Sequence, residues 1–428
     1  MSGKPSELSD MAHAWSTALP NSSERSTPKA PRLFSTWEIT RYLIPVAPAH
    51  LRRVLRARPD LPQGRSEGQS QDQHKARWFT FDEVHRLREF FAKEGSAHKD
   101  YLPYRPKGLP AQVISVAHGA RGMGRTTVAA HLAVAAALDG YRVLTIDLDP
   151  QGDLTRILEL DARWPNAATL IARNYCAYLQ MENRLRVNTG EALVPMEPAL
   201  SEAMAAKPDE LVTEARLANI DVLSYGPELA GADLKSAQWR LATRAWRPWD
   251  WLNDEHREGG LFDPYDLVII DTPPGLGVLS MSALLAADLV LVPIHAEPAA
   301  FETTAAYFRL LDQSVTAIEE QENALATALG TSPIRFEWQG IRTLLTRYDA
   351  THHGETAGLL QNGYGRKLLR ARQDEIPLIG TGGGRAFCIY DVDYRDFSRE
   401  AYVSARRGFD ETYSEVKRLF TENWQRAQ

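Results

Sequence analysis

The sequence predicts an α/β fold: a doubly wound, mostly parallel sheet with helices on both faces, preceded by a small helical domain. Three observations predict it. Near-continuous apolar segments (VISVA, RVLTID, LVIID, DLVLVPI) recur between stretches of helical period, as in strands covered on both faces. A glycine loop joins the first of them to a helix in VISVAHGARGMGRTTVAAHLAVAAAL, residues 113–138. Aspartates end two of the others, at the strand termini where open α/β sheets place ligands.

At 428 residues, 44% hydrophobic and 24% charged, the chain has room for two or three domains and an ample core. No run of about 18 apolar residues occurs, and no apolar leader opens the sequence, so no membrane partner is expected. Two isolated cysteines, Cys176 and Cys388, fit a cytoplasmic location, and no Cys/His spacing resembles a zinc site. The net charge of −6 is unevenly spread: residues 1–110 hold 18 Lys and Arg against 12 Asp and Glu. A basic front on an acidic body suggests an anionic partner for the front.

Residues 1–31, polar and rich in Ser, Pro and Ala, are expected to be disordered. Residues 32–99 have the layout of a winged helix-turn-helix. STWEITRYLI (35–44) opens on a Ser/Thr cap; prolines break it; APAHLRRVLRARP (47–59) forms a second helix studded with arginine. RWFTF then reads as a wing strand and DEVHRLREFFAKE as an amphipathic helix. Arg reaches both base edges and phosphates, so Arg52, Arg53 and Arg56 are candidate operator contacts, with Arg77 in the wing. A merely solvated basic face accounts for the same pattern. The proline-rich DYLPYRPKGLPA (100–111) reads as the linker to the main domain, 112–428.

In that domain strands are expected at 112–117, 142–148, 219–225, 266–271, 288–294 and 340–346. Helices are expected at 126–139, 227–247, 279–286, 299–313, 356–371 and 398–422. The loop fits the P-loop pattern G-x-x-x-x-G-K-[ST] except that Arg125 replaces the lysine. Gly119, Gly122, Met123, Gly124, Arg125, Thr126 and Thr127 are therefore candidate nucleotide contacts, their amides and the helix dipole facing the phosphates of ATP. Thr126 would ligate Mg²⁺. In LTIDLDPQGD, Asp149 is the candidate to orient an attacking water and Asp147 to help hold the metal; in VIIDTPP, Asp271 would hold Mg²⁺ through water. Arg keeps the charge of lysine but is planar and forked, so the swap is not conservative.

These motifs, with YLPYRPKG before them and LLTRYD (344–349) after, resemble the ParA partition ATPases, and within them the larger RepA type of replication–partition operons. The resemblance runs from about residue 33 to 422. It implies a deviant Walker A loop, ATP-dependent homodimers, non-specific DNA binding, a ParB/RepB-like partner and a nucleoid-associated location. It places Thr126, Asp149 and Asp271 on functional positions, Arg347 and Tyr348 near the nucleotide, and Asp391 and Tyr394 in a weaker C-terminal match. The family's loop reads K-G-G-x-G-K-T-T; here the first lysine is Ala120 and the second Arg125. Both departures predict slow or absent hydrolysis.

Arg366, Lys367, Arg370 and Arg372 form a possible second DNA surface on one expected helix. Trp239, Trp246, Trp249 and Trp251 are expected in the core or a dimer interface, and GTGGGR (380–385) in a flexible loop. Two other readings stay open. One is a non-hydrolysing winged-helix repressor whose α/β domain only dimerises. The other, a metabolic P-loop ATPase, fits poorly with the basic front domain.

Overall fold

The computed structural model describes residues 32–66, 77–94, 101–158, 160, 165–217, 219–243, 246–330, 332–376, 388–396 and 398–428. Segments 1–31 and 380–385 thus lie outside the described residues. Three short strands, β1 (Phe34–Ser35), β2 (Arg65–Ser66) and β3 (Arg77–Phe79), pair antiparallel in the order β1-β3-β2. Eight more form the main sheet: β4 (Gln112–Val116), β5 (Val143–Asp147), β6 (Thr213–Glu214), β7 (Ile220–Leu223), β8 (Leu267–Asp271), β9 (Leu289–His295), β10 (Gly340–Tyr348) and β11 (Leu368–Asp374). Their order is β11-β10-β9-β4-β8-β5-β7-β6, parallel throughout except for β6 against β7.

This is the doubly wound sheet the apolar strands predict. From β4 the chain winds outward through β5 and β7, returns to β8, then crosses to β9, β10 and β11 on the other side. The order reverses at β4, and the carboxyl end of β4 leads into the glycine loop. Residues 113, 114, 116, 143, 144, 146 and 267–270 are all at most 1% exposed, which explains the lack of alternation in their sequence.

Several boundaries differ from expectation. The expected helix 356–371 ends at Tyr364 (Ala350–Tyr364), and Leu368 onward forms β11 instead. Leu369 packs under the Arg399–Arg426 helix and Leu368 under the Ala350–Tyr364 helix on the other face, and Ala371 and Gln373 are buried as well, a burial that tertiary packing imposes on an arginine-rich segment. The expected 299–313 helix extends over Pro298–Leu329, and the one expected at 227–247 is confined to Ala232–Ala242. Ala167–Thr189 is a helix that periodicity alone does not reveal. Its signals are terminal: Asn166 caps the first turn with a reciprocal Thr169 bond, and Gly190 ends it at φ 72°.

The front unit does not stand apart. One continuous core runs from Phe34, Ile39 and Leu51 through the Arg125–Asp139 helix to Phe409 and Trp424. Arg88, 1% exposed, donates to the carbonyl oxygens of Leu43 and, across the boundary, of Leu138. Trp78 stacks on Tyr394 at 6.1 Å, Trp37 lies 5.0 Å from Tyr394, and the Arg406 guanidinium sits 3.6 Å over Tyr42. The expected linker leads from one part of a shared core to another. Tyr394 belongs to this seam, whereas Asp391 pairs with Arg216 within the main domain.

His131 anchors the loop helix to the same seam. Its Nδ1–H donates to Thr127 O at 2.6 Å and its Nε2 accepts from the Ile389 amide at 3.1 Å, while the ring stacks on Phe409 at 3.8 Å. Burial pushes its pKa down to about 4. The unfolded chain therefore takes up a proton below pH 6.5 that the folded chain refuses, so acidification from 6.5 to 4 costs roughly 3 kcal/mol at this imidazole. Thermal unfolding of His131→Gln is expected to lose that part of the pH dependence. An unchanged slope between pH 6.5 and 4 would refute the assignment.

Candidate functional site

Beyond β4 the chain turns through Gly122 (φ 77°) and Gly124 (φ 88°), left-handed conformations that only glycine adopts without strain. Gly124 caps the Arg125–Asp139 helix, whose first turn bears Thr126 and Thr127. The loop is braced from below. His118 accepts the Ala120 amide on Nδ1 (2.9 Å), meets Thr304 Oγ1 through Nε2 (3.0 Å) and stacks on Tyr307. Burial, with Arg125 nearby, lowers its pKa to about 4, so the imidazole is neutral. Thr346 Oγ1 donates to Met123 O at 3.2 Å.

Arg125 takes a specific part in this bracing. Its Nε donates to Thr272 O (2.9 Å), its Nη1 to His118 O (3.1 Å) and Ala120 O (2.7 Å), and its Nη2 lies 3.5 Å from Asp149 Oδ2. At 7% exposed it binds the loop's own carbonyls and faces the carboxylate after β5. A lysine, with one ammonium, has fewer donors to spread over these acceptors.

The loop opens into a cleft of about 450 Å³. Gly122, Met123, Gly124, Arg125, Thr126, Thr127, Asp149 and Arg347, all candidates from the sequence, line it together. Arg347 holds a φ of 50°, the one positive value at a non-glycine position among the described residues. Tyr348, expected near the nucleotide, instead packs with Leu345 and Leu360, and three candidate site residues also stand outside the lining. Gly119 is packed against Tyr307, where a Cβ would come within 2.9 Å of the ring. Asp147 is buried below: its oxygens accept from the Asp149 amide (3.2 Å) and from the Thr155 amide (2.8 Å) and hydroxyl (2.7 Å). That bonding fixes the turn after β5. Burial, partly offset by Thr155, pushes its pKa up to about 7.

Asp271 is the third, fully buried at the end of β8. Neither carboxylate oxygen has a hydrogen-bond partner among the described residues. Burial first, then Asp147, raises its pKa well above the usual carboxylate range, while the neighbouring Thr126 hydroxyl and Arg125 oppose the rise. A buried carboxylate with free lone pairs beside a threonine hydroxyl suits a hard divalent cation. The residues present fit both groups: glycine amides and a helix N-terminus for a phosphate chain, Thr126 and Asp271 for Mg²⁺.

The cleft has walls the sequence reading missed. His295 and Thr346 end β9 and β10, Gln373 to Ile376 end β11, and Phe409 comes from the Arg399–Arg426 helix. The signal available was position: each of the first group closes a parallel strand adjoining β4 or its neighbours.

In the front unit, Leu51, Val54 and Leu55 bury one side of the Pro48–Ala57 helix and leave Arg52, Arg53 and Arg56 exposed together. Arg77 is half-buried and donates to Gln63 Oε1 at 3.0 Å, tied to the small sheet. Arg366, Lys367, Arg370 and Arg372 share no helix: the first two lie in a turn and the others on β11, where Arg372 packs on Tyr348 at 4.6 Å. Trp246 and Trp251 are fully buried and Trp239 stacks on Tyr175 at 4.5 Å, core positions as expected.

Fold and loop together define a P-loop ATPase fold whose loop carries arginine for lysine. The family described as AAA domain matches residues 111–325. A Rhizobium rhizogenes protein, provisionally named replication protein A, is 28% identical over 404 residues, 93% of this chain and 89% of that protein. The chromosome partitioning protein ParA of Caulobacter vibrioides is 30% identical over 240 residues, 56% of this chain and 71% of its own. A solved structure described as a partition protein superposes with a TM-score of 0.61 at 15% identity, covering 97% of this chain and 98% of its own. The chain belongs to the ParA family of partition ATPases. Among the described residues no helix is long and apolar enough to cross a membrane.

Proposed function

We propose that the chain is the ATP-switched, DNA-binding partition component of a plasmid replication–partition operon, with weakened hydrolysis. The observation that carries this is one cleft lined by the Gly122–Thr127 loop and Asp149, with the buried Asp271 beside Thr126 beneath it. The amides of the loop would hold the phosphates of ATP; Thr126 and Asp271 would hold Mg²⁺, which when bound neutralises charge on the phosphate oxygens. Asp149, hydrogen-bonded by the Gln151 amide at 3.0 Å and faced by Arg125, would orient a water. The ATP form would dimerise, bind DNA without sequence preference and meet a ParB/RepB-like partner, as relatives named for partition suggest. A cytoplasmic, nucleoid-associated location follows from that reading. Calorimetry of the full chain with Mg-ATP tests it, and an absence of heat at millimolar ligand would overturn it.

Arg52, Arg53 and Arg56 would read the operator of the chain's own operon. Replacing Arg52 and Arg53 together with alanine is expected to weaken operator binding at least tenfold and to lower its salt slope by about two. Fluorescence anisotropy at 50 and 200 mM salt reads both, and unchanged affinity would remove this surface from DNA recognition.

One observation favours a second reading, a repressor that binds but does not hydrolyse. Arg125 is engaged with the loop's carbonyls, and Ala120 carries no cation. Dimers by light scattering that ignore nucleotide would support that reading; dimers that require it support the first.

A further inference from the structure

His295 ends β9 inside the cleft, its ring in hydrogen-bond contact with the Gly122 backbone. The residue is 8% exposed, it lines the cleft, and its Nε2 has no hydrogen-bond partner among the described residues. A buried imidazole nitrogen left unpaired costs about 1–3 kcal/mol, and such groups in native proteins call for an explanation. Its neighbours supply one. Thr346 stands opposite it in the β9–β10 register and braces the loop at Met123, the Gly122 backbone lies beside the ring, and Arg347 follows on β10.

The donor count points the same way. A triphosphate tail needs several cationic or N–H donors. Ala120 supplies no cation, and the Arg125 Nε and Nη1 are already given to carbonyl oxygens. The basic groups of the lining that remain are the exposed Arg121 on the loop itself and, at strand ends beside it, His295 and Arg347, of which His295 alone is buried against the loop. We infer that His295 is a phosphate-binding residue, its Nε2 donating to an oxygen of the nucleotide's phosphate chain from the β9 side. The inference rests on the reading of the cleft as a nucleotide site.

Protonation follows from the surroundings. Burial and the Arg347 charge hold the His295 pKa below the ordinary imidazole range, against the opposing Glu297 on its own segment, the Gly122 backbone and Glu375 beyond β11. His118, below the loop, faces it as a second imidazole. An arriving polyanion outweighs the Arg347 repulsion, so binding draws a proton onto the ring. Affinity then rises as pH falls from 8 to 6.

The test is calorimetry of the full chain with Mg-ATP at pH 6.5 in two buffers of different ionisation enthalpy, and again at pH 8. His295→Ala is expected to bind about tenfold more weakly at pH 6.5. His295→Gln, which keeps a neutral donor, is expected to retain near-native affinity at pH 8 while losing the proton uptake. Variants with wild-type affinity and wild-type uptake would overturn the assignment while leaving the nucleotide site standing. Wild-type protein that binds no Mg-ATP would overturn both.

Discussion

Replacing Arg125 with alanine is expected to abolish nucleotide binding and to destabilise the fold by about 3 kcal/mol. Three carbonyl oxygens, of His118, Ala120 and Thr272, lose their donor at once, and Asp149 loses the cation 3.5 Å away. Uncompensated buried acceptors and a stranded carboxylate are the costly outcomes of such a truncation. The loop would lose the tether that sets Gly122 and Gly124, and affinity for Mg-ATP is expected to fall at least a hundredfold. Arg125→Lys separates the two roles. It keeps the charge with fewer loop bonds, so stability drops partway. Combined with Ala120→Lys, it is expected to raise ATP turnover by about a hundredfold. Native stability and native affinity in Arg125→Ala would show that the carbonyl contacts matter little.

The second large effect is expected at Arg406, 6% exposed, which donates to Asp410 at 2.9 and 3.0 Å and to the Tyr402 hydroxyl while covering Tyr42. Arg406→Ala removes the plane that joins the front unit to the long helix, leaving Asp410 and the Tyr390 hydroxyl to each other. A loss of about 3 kcal/mol is expected, concentrated in the front unit. Amide exchange in residues 34–43 and 77–79 should quicken by about a hundredfold while β4, β8 and β9 stay protected. Uniform acceleration throughout would mean that the seam is not a separable contact.

The sequence made the central sheet and the loop legible because their signals are local. Apolar runs, two glycines and strand-ending aspartates each report their own position. The Ala167–Thr189 helix went unread although Asn166 and Gly190 mark its ends, because its apolar period is weak. β11 was hidden because its burial comes from partners elsewhere in the chain, and the helix before it shares its mixed polarity. The bonding of Asp147 was hidden for a related reason: the D-x-D spacing shows two carboxylates at a strand end but not that Thr155 bonds the first. His295 and Phe409 had no motif to betray them; only the parallel order of β9 to β11 brings their positions to the loop.

The seam at Trp37, Trp78, Tyr394 and Tyr402 has a bearing on biosynthesis. Its two sides are made far apart in time: at about 5–20 residues per second, a ribosome reaches Tyr402 roughly 20–70 s after Trp37. Until then the emerging amino-terminal part lacks its aromatic cover. Nonsense or frameshift lesions as late as residue 390 would therefore yield chains deprived of a settled front unit as well as of the cleft wall at Phe409.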